Sequence, residues 1–403
     1  MIPFSPPRMD QKIIDEVIDT LKSGWITTGP KTKLFEKKIT EYTSSKATLC
    51  VSSGSAGLEL MLLWFGIGEG DEVILPAYTY SATANVIVHT GAKPVFVDIE
   101  NDFNISIKKI ESAITERTKV IMPVDIAGFP CDYNEINNLV KRKDVIERFN
   151  PKTKEQKSLG RILILSDAAH SIGAEYEGRR TGALTDITVF SFHAVKNITT
   201  AEGGAVCLNL PDQFNNKEIY DYLCVKSLHG QNKDALAKTK IGSWKYDIVE
   251  AGYKFNMTDI QAAMGKVELE RYNSDMLVKR KEIFDKYSEG LSKFPWAIIP
   301  LYENEKKISS YHVFLLRIKD ITEEKRNLIM QGIFNRGVSV NVHFVPLPMM
   351  TFYKNLGYDI DDYPVSYKNY ATEISLPVYY DLTNEQIDYI VKSVVEAVEE
   401  IIK

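Results

Sequence analysis

Lys196 is the first residue in this sequence whose surroundings suggest chemistry. It lies in the segment FSFHAVKNITTAEGG, residues 190–204, after an apolar run over 187–192 that predicts a buried strand and before the pair Gly203 and Gly204. A lysine is usually a solvated surface charge, and a single loop lysine is most simply interpreted that way. A desolvated lysine has a lowered pKa, and its neutral amine can act as nucleophile and base. Both interpretations are open at this point.

Other polar groups follow apolar runs elsewhere in the chain. The small residues of SSGSAG, 52–57, follow ATLCV, Tyr80 follows DEVILP, and Asp167 follows LILS. Each group alone has an ordinary explanation: a tight turn, a packed ring or a helix N-cap, and for His193 a hydrogen-bonded core histidine. Because the carboxyl ends of parallel strands meet at one edge of a sheet, we expect these groups to lie close together with Lys196.

The combination predicts a site for pyridoxal 5′-phosphate. Small residues at a helix N-terminus, as in segment 52–57, bind phosphate through free N–H groups and the helix dipole. A buried carboxylate such as Asp167 requires a cationic partner, which the protonated ring nitrogen of this cofactor provides. The Lys196 amine then forms a Schiff base with the aldehyde, and the Tyr80 ring stacks on the cofactor.

The elements that must position these residues alternate between strands and helices. A first helix is predicted over 10–21, where an apolar stripe ends before Gly24. Near-continuous apolar strands separated by helical segments then predict a mostly parallel sheet covered by helices on both faces. The charged segment 141–161 is predicted to be an exposed helix end and loop. The fold class is therefore α/β.

A second architecture is predicted after about residue 260. Capping boxes, in which a threonine precedes a glutamine by three positions, start helices at Thr258 and Thr383. The first of these helices is expected to continue to about residue 293. Strands are predicted for SYHVFLLRI and VSVNVHF, with a helix between them. We therefore predict a large α/β domain over 1–260, and a connecting helix with a small α+β domain over 261–403.

Composition disfavours several function classes. The 403 residues carry a formal net charge of −5, which argues against nucleic acid or an anionic membrane surface as a partner. No apolar stretch is long enough to span a bilayer, and the N-terminus lacks a signal-peptide core, so a cytoplasmic protein is expected. The four cysteines are far apart and are expected to be reduced core residues, and no metal site is predicted.

Several motifs together resemble one known family. DAAHSIGA, FSFHAVKNITTAEGG and GYKFNMTDIQAAMG are similar to blocks of the DegT/DnrJ/EryC1/StrS sugar aminotransferases, and SGWITTGP, VSSGSAG, LPAYTYSATAN, PVFVDIE and SLPVYYDLT follow the family order. The resemblance covers almost the whole chain. It implies a fold-type-I pyridoxal-phosphate enzyme, related in fold to aspartate aminotransferase, in which helices sandwich a mostly parallel mixed sheet and a smaller α+β domain follows.

The resemblance implies roles for individual residues. Lys196 is similar to the family's Schiff-base lysine, and Asp167 to the partner of the pyridinium nitrogen. His193 and His343 are expected near the substrate. The remaining cofactor-binding positions are Gly54, Ser55 and Ser191 at the phosphate, Tyr80 on the ring, His170 beside the phenolic oxygen, and Asn256, whose counterpart reaches the phosphate of the other subunit.

The resemblance also implies the reaction and the partners. L-Glutamate is expected to supply the amino group and a nucleotide-linked keto sugar to receive it, for lipopolysaccharide, another cell-surface polysaccharide or a related glycan. The segments PFSPPRMD and SGWITTGPKT look closest to enzymes that aminate C4 of UDP-4-keto sugars, such as the UDP-4-amino-4-deoxy-L-arabinose aminotransferases. Because the position of Asn256 serves the other subunit, a homodimer with shared active sites is expected.

Other reactions stay open. A C3 aminotransferase acting on a dTDP-3-keto sugar would share these motifs. A pyridoxal-phosphate sugar dehydratase that does not aminate, or a catalytically silent protein that binds a sugar nucleotide, would keep the fold. Dehydratases of the relevant kind replace the lysine with histidine or add an iron–sulfur cysteine set. Lys196 and the scattered cysteines therefore favour aminotransfer.

Overall fold

The computed structural model describes residues 1–232 and 245–402, and a seven-stranded sheet forms the centre of these residues. Its strand order is β1-β9-β8-β5-β4-β2-β3, in which β9 is antiparallel to both neighbours and the pairs from β8 to β3 are parallel. Two three-stranded sheets, β10-β12-β13 and β11-β6-β7, lie outside it. The strands are β1 (Ala47–Val51), β2 (Glu72–Pro76), β3 (Lys93–Val97), β4 (Thr118–Ile121), β5 (Leu163–Asp167), β6 (Glu175–Tyr176), β7 (Arg179–Arg180), β8 (Ile187–Ser191), β9 (Gly204–Leu208), β10 (Ala297–Ile298), β11 (Lys307–Ile308), β12 (Phe314–Ile318) and β13 (Glu373–Leu376).

Helices cover both faces of the large sheet, as predicted from its apolar strands. The helices of the described residues are α1 (Gln11–Ser23), α2 (Pro30–Thr43), α3 (Gly54–Trp64), α4 (Ser81–His89), α5 (Ile107–Ala113), α6 (Tyr133–Lys141), α7 (Lys143–Arg148), α8 (Lys154–Leu159), α9 (Asn216–Lys226), α10 (Asp259–Arg271), α11 (Leu277–Leu291), α12 (Glu323–Asn335), α13 (Thr351–Asn355), α14 (Pro364–Thr372) and α15 (Asn384–Ile402).

The two faces of the sheet can be followed along β9, where side chains alternate between separate hydrophobic clusters. Ala205 and Cys207 pack with Phe35 of α2, whereas Val206 and Leu208 pack in the cluster that contains α3. Every residue of β9 is buried. A strand that is buried on both faces must be apolar throughout, which is why these strands are near-continuous apolar runs in the sequence.

The helix boundaries follow local signals in the sequence. Helix α1 ends at Gly24, whose φ of 72° is the left-handed conformation that glycine adopts without steric cost. Both predicted capping boxes form: Thr258 and Gln261 cap α10, and Thr383 and Gln386 exchange the same hydrogen bonds before α15. The single helix predicted to run to about residue 293 is instead α10 and α11, joined by a π-helical turn, Tyr272–Met276.

One local prediction is wrong, and a second is incomplete. VSVNVHF, residues 338–344, forms no strand: isolated bridges from Val338 to Ile2 and from Asn341 to Ser375 are its ladder contacts within the described residues. Segment 141–161, predicted to be an exposed helix end and loop, is mostly exposed but contains two short helices, α7 and α8. Its Gln156 is fully buried and donates to the carbonyl of Phe65, so the segment packs against the end of α3.

The hydrophobic core is divided into separate clusters, and some residues pack in a cluster that their position in the sequence does not predict. One cluster packs helices such as α3 against one face of the large sheet. Another cluster joins α11, α12 and α15 to β12 and β13. Ile2 packs in the second cluster, and Leu347, Tyr353 and Tyr363 pack in the first. Packing contacts therefore cross the predicted domain boundary between residues 260 and 261 in both directions. The boundary itself stays a prediction.

Three general features of the described residues complete the fold. The four cysteines are free thiols, of which Cys224 is half-buried and the others are buried. No helix in the described ranges combines the length and apolar character that a membrane crossing requires. In the same ranges no group of three or more His, Cys, Asp or Glu side chains is arranged to hold a metal ion.

Candidate active site

A cavity of about 460 Å³ lies where the parallel strands of the large sheet end. It collects nine of the residues predicted for the site. The lining includes these predicted residues, Gly54, Ser55, Tyr80, Asp167, His170, Ser191, His193, Lys196 and His343, together with Ser53, Leu58, Thr79, Ala82, Val124, Ala169, Val195, Glu202, His312 and Phe344.

Lys196 reaches this cavity from the loop that follows β8. Its backbone N–H donates to the carbonyl of His193 at 2.9 Å. The loop is closed by a hydrogen bond of 2.9 Å from the Thr200 N–H to the Phe192 carbonyl. The residue is half-buried and lines the cavity. Burial lowers its pKa to about 8, although the nearby charge of Asp167 opposes this shift. The amine is therefore about half neutral near pH 8, and about one tenth of it is neutral at pH 7.

Asp167 is the last residue of β5 and lies buried at the bottom of the cavity. Thr83 Oγ1 donates to its Oδ2 at 2.8 Å, and the backbone N–H of Ala169 donates to its Oδ1 at 3.2 Å. Burial raises the pKa of Asp167 in spite of these hydrogen bonds and of the Lys196 charge. A buried carboxylate in this state gains from a cationic group placed against it.

The start of α3 forms a cradle for an anion. Ser53 is its N-cap, and its Oγ accepts from the N–H of Ala56 at 3.0 Å, so the N–H groups of Gly54 and Ser55 lie at the positive end of the helix. Strands β8 and β9 approach this turn closely. A Cβ on Gly204 would lie 2.6 Å from Gly54 N, so only glycine allows this approach.

Two histidines lie side by side against the cavity. The ring centroids of His170 and His312 are 4.2 Å apart. His170 Nδ1 accepts from Ala127 N–H at 3.3 Å, and His312 Nδ1 lies 2.7 Å from Asn197 Oδ1. Burial lowers the pKa of His170 well below its usual value, and the Lys196 charge adds to this effect. Both rings are therefore neutral and held in fixed positions.

The open side of the cavity carries aromatic and polar side chains. Tyr80 is 61% exposed, and its ring centroid lies 5.8 Å from that of Phe344. His193 is exposed as well, and its Nε2 lies 3.7 Å from a carboxylate oxygen of Glu202. These groups would meet a ligand that extends from the buried end of the cavity toward solvent.

Asn256 is the one predicted cofactor-binding residue that does not line this cavity. It forms an isolated bridge with Val51, and its Nδ2 donates to Thr28 Oγ1 at 2.7 Å. The side chain therefore lies near the start of α3 but is engaged elsewhere in the same chain.

Sequence reasoning missed several residues of the site. Thr83 lies three positions after Tyr80, so the segment YSAT contained a usable signal. Phe344 directly follows His343, a residue that is predicted for the site. His312 carries no such signal, because it lies in the segment SYHVFLLRI, whose pattern predicts only a strand.

Comparison with known proteins points to one family. The model of the DegT/DnrJ/EryC1/StrS aminotransferase family matches residues 7–147 and 154–395. Among solved structures, "Putative sugar aminotransferase Spr1654 from Streptococcus pneumoniae, PMP-form" is 46% identical, and the match covers 100% of both chains with a TM-score of 0.96. The PLP-form of the same protein is 44% identical, with a TM-score of 0.94 over 100% of both chains.

Two further proteins match over nearly their whole length. The "Uncharacterized protein MJ1066" of Methanocaldococcus jannaschii is 40% identical over 99% of this chain and 98% of that protein. The "Spore coat polysaccharide biosynthesis protein SpsC" of Bacillus subtilis is 36% identical over 100% of this chain and 97% of that protein.

Proposed function

This chain belongs to the DegT/DnrJ/EryC1/StrS aminotransferase family, and on that premise we propose that it transfers an amino group from L-glutamate to a nucleotide-linked keto sugar. It is a sugar aminotransferase, and its cofactor is pyridoxal 5′-phosphate. For the acceptor we propose, more specifically, a UDP-4-keto sugar that is aminated at C4. The name of SpsC supports a product destined for a cell-surface polysaccharide.

The cavity has the groups that this cofactor requires. The N–H groups of Gly54 and Ser55 and the Ser191 hydroxyl suit the phosphate, and Asp167 suits the ring nitrogen. The cofactor supplies an aldehyde that binds an amine and a ring that withdraws electrons from the attached carbon. The glycine at position 204 keeps the cradle free of side-chain atoms.

Lys196 is proposed as the residue that holds the cofactor and moves the proton. The lowered pKa of about 8 leaves enough neutral amine to act as a base, and the protonated form can then return the proton. Asp167 keeps a proton on the ring nitrogen by placing a buried carboxylate against it. Thr83 holds that carboxylate in place through its hydrogen bond.

The observation that carries the proposal is the arrangement of these groups in one cavity. A lysine of low pKa and a buried carboxylate face the same space, and the start of α3 borders it. A binding protein that had lost catalysis would have no need for a desolvated lysine at this position, because burying an amine costs free energy.

The proposed homodimer would complete the site with a residue from the partner. Asn256 lies outside the cavity of its own chain, which is consistent with a side chain that contacts the cofactor phosphate of the other subunit. Ile14, Ile18 and Leu21 of α1 are 42%, 39% and 53% exposed. This apolar face is the kind of surface that a second subunit would cover.

An absorbance experiment tests the proposed donor. Purified protein is loaded with pyridoxal phosphate, and its spectrum is recorded before and after L-glutamate is added without any sugar. The visible band of the lysine-bound cofactor is expected to appear first and to convert to the pyridoxamine phosphate band. If the first band forms but glutamate leaves it unchanged, another donor or an elimination reaction replaces the proposal.

The acceptor is tested on the protein already converted to its pyridoxamine phosphate form. A UDP-4-keto sugar and a dTDP-3-keto sugar are supplied in separate reactions. Return of the lysine-bound band with the first sugar alone supports amination at C4. Return with the second sugar alone would assign the protein to the C3 aminotransferases.

A further inference from the structure

A chain of hydrogen bonds behind His343 holds its ring against the cavity. Its Nδ1 lies 2.8 Å from Ser375 Oγ, and the Ser375 hydroxyl donates to Glu373 Oε1 at 2.6 Å. The other carboxyl oxygen, Oε2, accepts from the backbone N–H of His343 at 3.1 Å. The ring also stacks on Phe4, with centroids 5.4 Å apart. These contacts leave Nε2 as the ring nitrogen available to the cavity.

The hydrogen atoms of this chain can be arranged in two ways. The backbone N–H of His343 can only donate, so Oε2 of Glu373 accepts, and Oε1 is the oxygen whose proton can reach Ser375. When Glu373 is ionised, the Ser375 hydroxyl donates to Oε1, Ser375 Oγ accepts from Nδ1–H, and Nε2 keeps a lone pair. When Glu373 is protonated, Oε1–H donates to Ser375, whose hydroxyl donates to Nδ1, and Nε2 carries the hydrogen.

Glu373 is placed so that both states are accessible. It is fully buried on β13, and the ionisable groups that face it are Arg317 of β12, Arg326 of α12 and Tyr78 after β2. Burial raises the pKa of Glu373 to about 8, although its hydrogen bonds and the two arginine charges oppose this shift. The carboxyl group is therefore mostly neutral at neutral pH and ionised above about pH 8.

His343 itself stays neutral over the same range. Burial lowers its pKa to about 4, and the Lys196 charge adds to the effect. The other ionisable groups near its ring are His170 and His312, whose pKa values burial lowers as well. Titration of Glu373 therefore changes which nitrogen of His343 is protonated, while the imidazole remains uncharged.

We propose that Glu373 and Ser375 are positioning residues that set the tautomer of His343, so that Nε2 is a hydrogen-bond donor to the substrate when Glu373 is protonated and an acceptor when it is ionised. The inference rests on the proposed function for the identity of that substrate. A donor suits the carbonyl oxygen of a keto sugar, and an acceptor suits a sugar hydroxyl. At neutral pH the donor form prevails, so His343 is matched to a keto sugar.

Nitrogen NMR of the full-length, cofactor-loaded protein measures the tautomer directly. The chain has six histidines, so ¹⁵N-histidine labelling gives few signals, and His343→Gln identifies the resonances of interest. In the wild type, the unprotonated ring nitrogen of His343 is expected to be Nδ1 at about pH 6.5 and Nε2 at about pH 9.5, as Glu373 ionises between them.

Glu373→Gln gives the sharpest expectation. The amide oxygen must accept from the His343 N–H, so the amide NH₂ faces Ser375 and donates to it. His343 is then held with hydrogen on Nε2 at both pH values. Glu268→Gln is the matched control, because Glu268 is also buried with a raised pKa, of about 7, but its carboxylate binds the N–H of Thr199.

His312 provides an internal reference in every sample. Asn197 Nδ2 donates to Tyr272 Oη and to the Ser310 carbonyl, so its Oδ1 is the atom that faces His312 Nδ1. An oxygen acceptor keeps the hydrogen on Nδ1 of His312 at every pH at which that ring is neutral. Its resonances are expected to be the same in wild type, Glu373→Gln and Glu268→Gln.

Ser375→Ala breaks the chain without touching the carboxyl group, and it serves if Glu373→Gln fails to fold. The pH-dependent exchange of the His343 tautomer is expected to disappear. One fixed tautomer in the wild type at both pH values, or a switch that survives in Ser375→Ala, overturns the proposal. The measurement is independent of glutamate, so failure of the proposed aminotransfer would remove the substrate assignment and leave the tautomer result standing.

Discussion

Lys196 and Asp167 face one cavity with pKa values that burial shifts in opposite directions. Burial lowers the pKa of the amine and raises that of the carboxyl group, so in both cases it favours the uncharged form. Two charged groups without partners would be costly here. A cofactor with an anionic phosphate and a protonated ring nitrogen supplies charges that the start of α3 and Asp167 can pair with.

Lys196→Ala is the direct test of the loop-lysine interpretation. Turnover is expected to fall by roughly 10³-fold or more, because the residue that binds the cofactor and carries the proton is lost. Some cofactor binding should remain through the phosphate cradle. Lys143→Ala, which removes an exposed lysine from α7, is the control and should retain wild-type turnover. Equal activity in the two variants would show that Lys196 is an ordinary loop charge.

The pH dependence of cofactor binding reports the titration of the same amine. Because the folded-state pKa is lowered to about 8 from 10.5, the neutral fraction rises as the pH rises through about 8. The rate at which apoprotein forms the visible band should rise about tenfold per pH unit below that value and level off above it. Asp167→Asn removes the charge that opposes the shift, so its midpoint should lie lower. A midpoint near 10.5 would indicate a solvated lysine.

The sequence could identify site residues that lie at or after the ends of apolar strands. It could not identify site residues that lack such a neighbouring strand pattern. Asp167 ends β5 and Lys196 lies in the loop after β8, so their position near one edge of the sheet could be inferred from the strand pattern. His312 lies 116 positions after Lys196 and approaches it through the tertiary contact of Asn197. Glu373 and Ser375 lie on a strand whose sequence gave no sign that it backs the cavity.

The turn between β1 and α3 works only because two neighbouring strands come close to it. Ser191 ends β8, and Gly204 begins β9 against the backbone of Ser53 and Gly54. The cradle therefore depends on the packing of three elements as well as on the SSGSAG motif. Sequence could identify the motif, but the role of the distant Gly204 required the sheet order.

Gly204→Ala is expected to disturb this junction. The added Cβ would lie 2.6 Å from Gly54 N, so backbone must move, at a cost of about 1–3 kcal/mol in the free energy of unfolding. Cofactor affinity should fall as well. Denaturant unfolding without cofactor and a cofactor titration measure the two effects. Gly68→Ala is the matched control, because its nearest atom is 3.8 Å away, and indistinguishable behaviour of the two variants would contradict the packing argument.

Elements buried on both faces were the easiest to predict, and edge segments were the hardest. β2 and β5 are buried throughout because helices cover both faces of the sheet, and apolar runs this short between helical segments fit buried strands better than helices. VSVNVHF alternates as a strand does, but it pairs with neighbours only at isolated positions. Alternation alone cannot reveal whether a partner strand is available.

At the scale of the whole molecule, α1 has an apolar face that is exposed among the described residues. The predicted apolar stripe exists, but Ile13 is 2% exposed while Ile14, Ile18 and Leu21 are each at least 39% exposed. The helix itself is held by polar contacts, such as Lys31 to Glu16 at 2.9 Å. The exposed stripe agrees with the proposed homodimer, in which a second subunit would cover it.

Mixing two inactive variants tests whether active sites are shared in a homodimer. In a shared site, Lys196 of one subunit works with Asn256 of the other, so Lys196→Ala and Asn256→Ala dimers should each have strongly reduced activity. A mixed dimer carries both substitutions in one site and leaves the other intact. Co-expression in equal amounts should therefore restore about one quarter of wild-type activity, because half of the dimers are mixed. If each site is built from one chain, Asn256→Ala alone should stay active, since that side chain lies outside its own cavity.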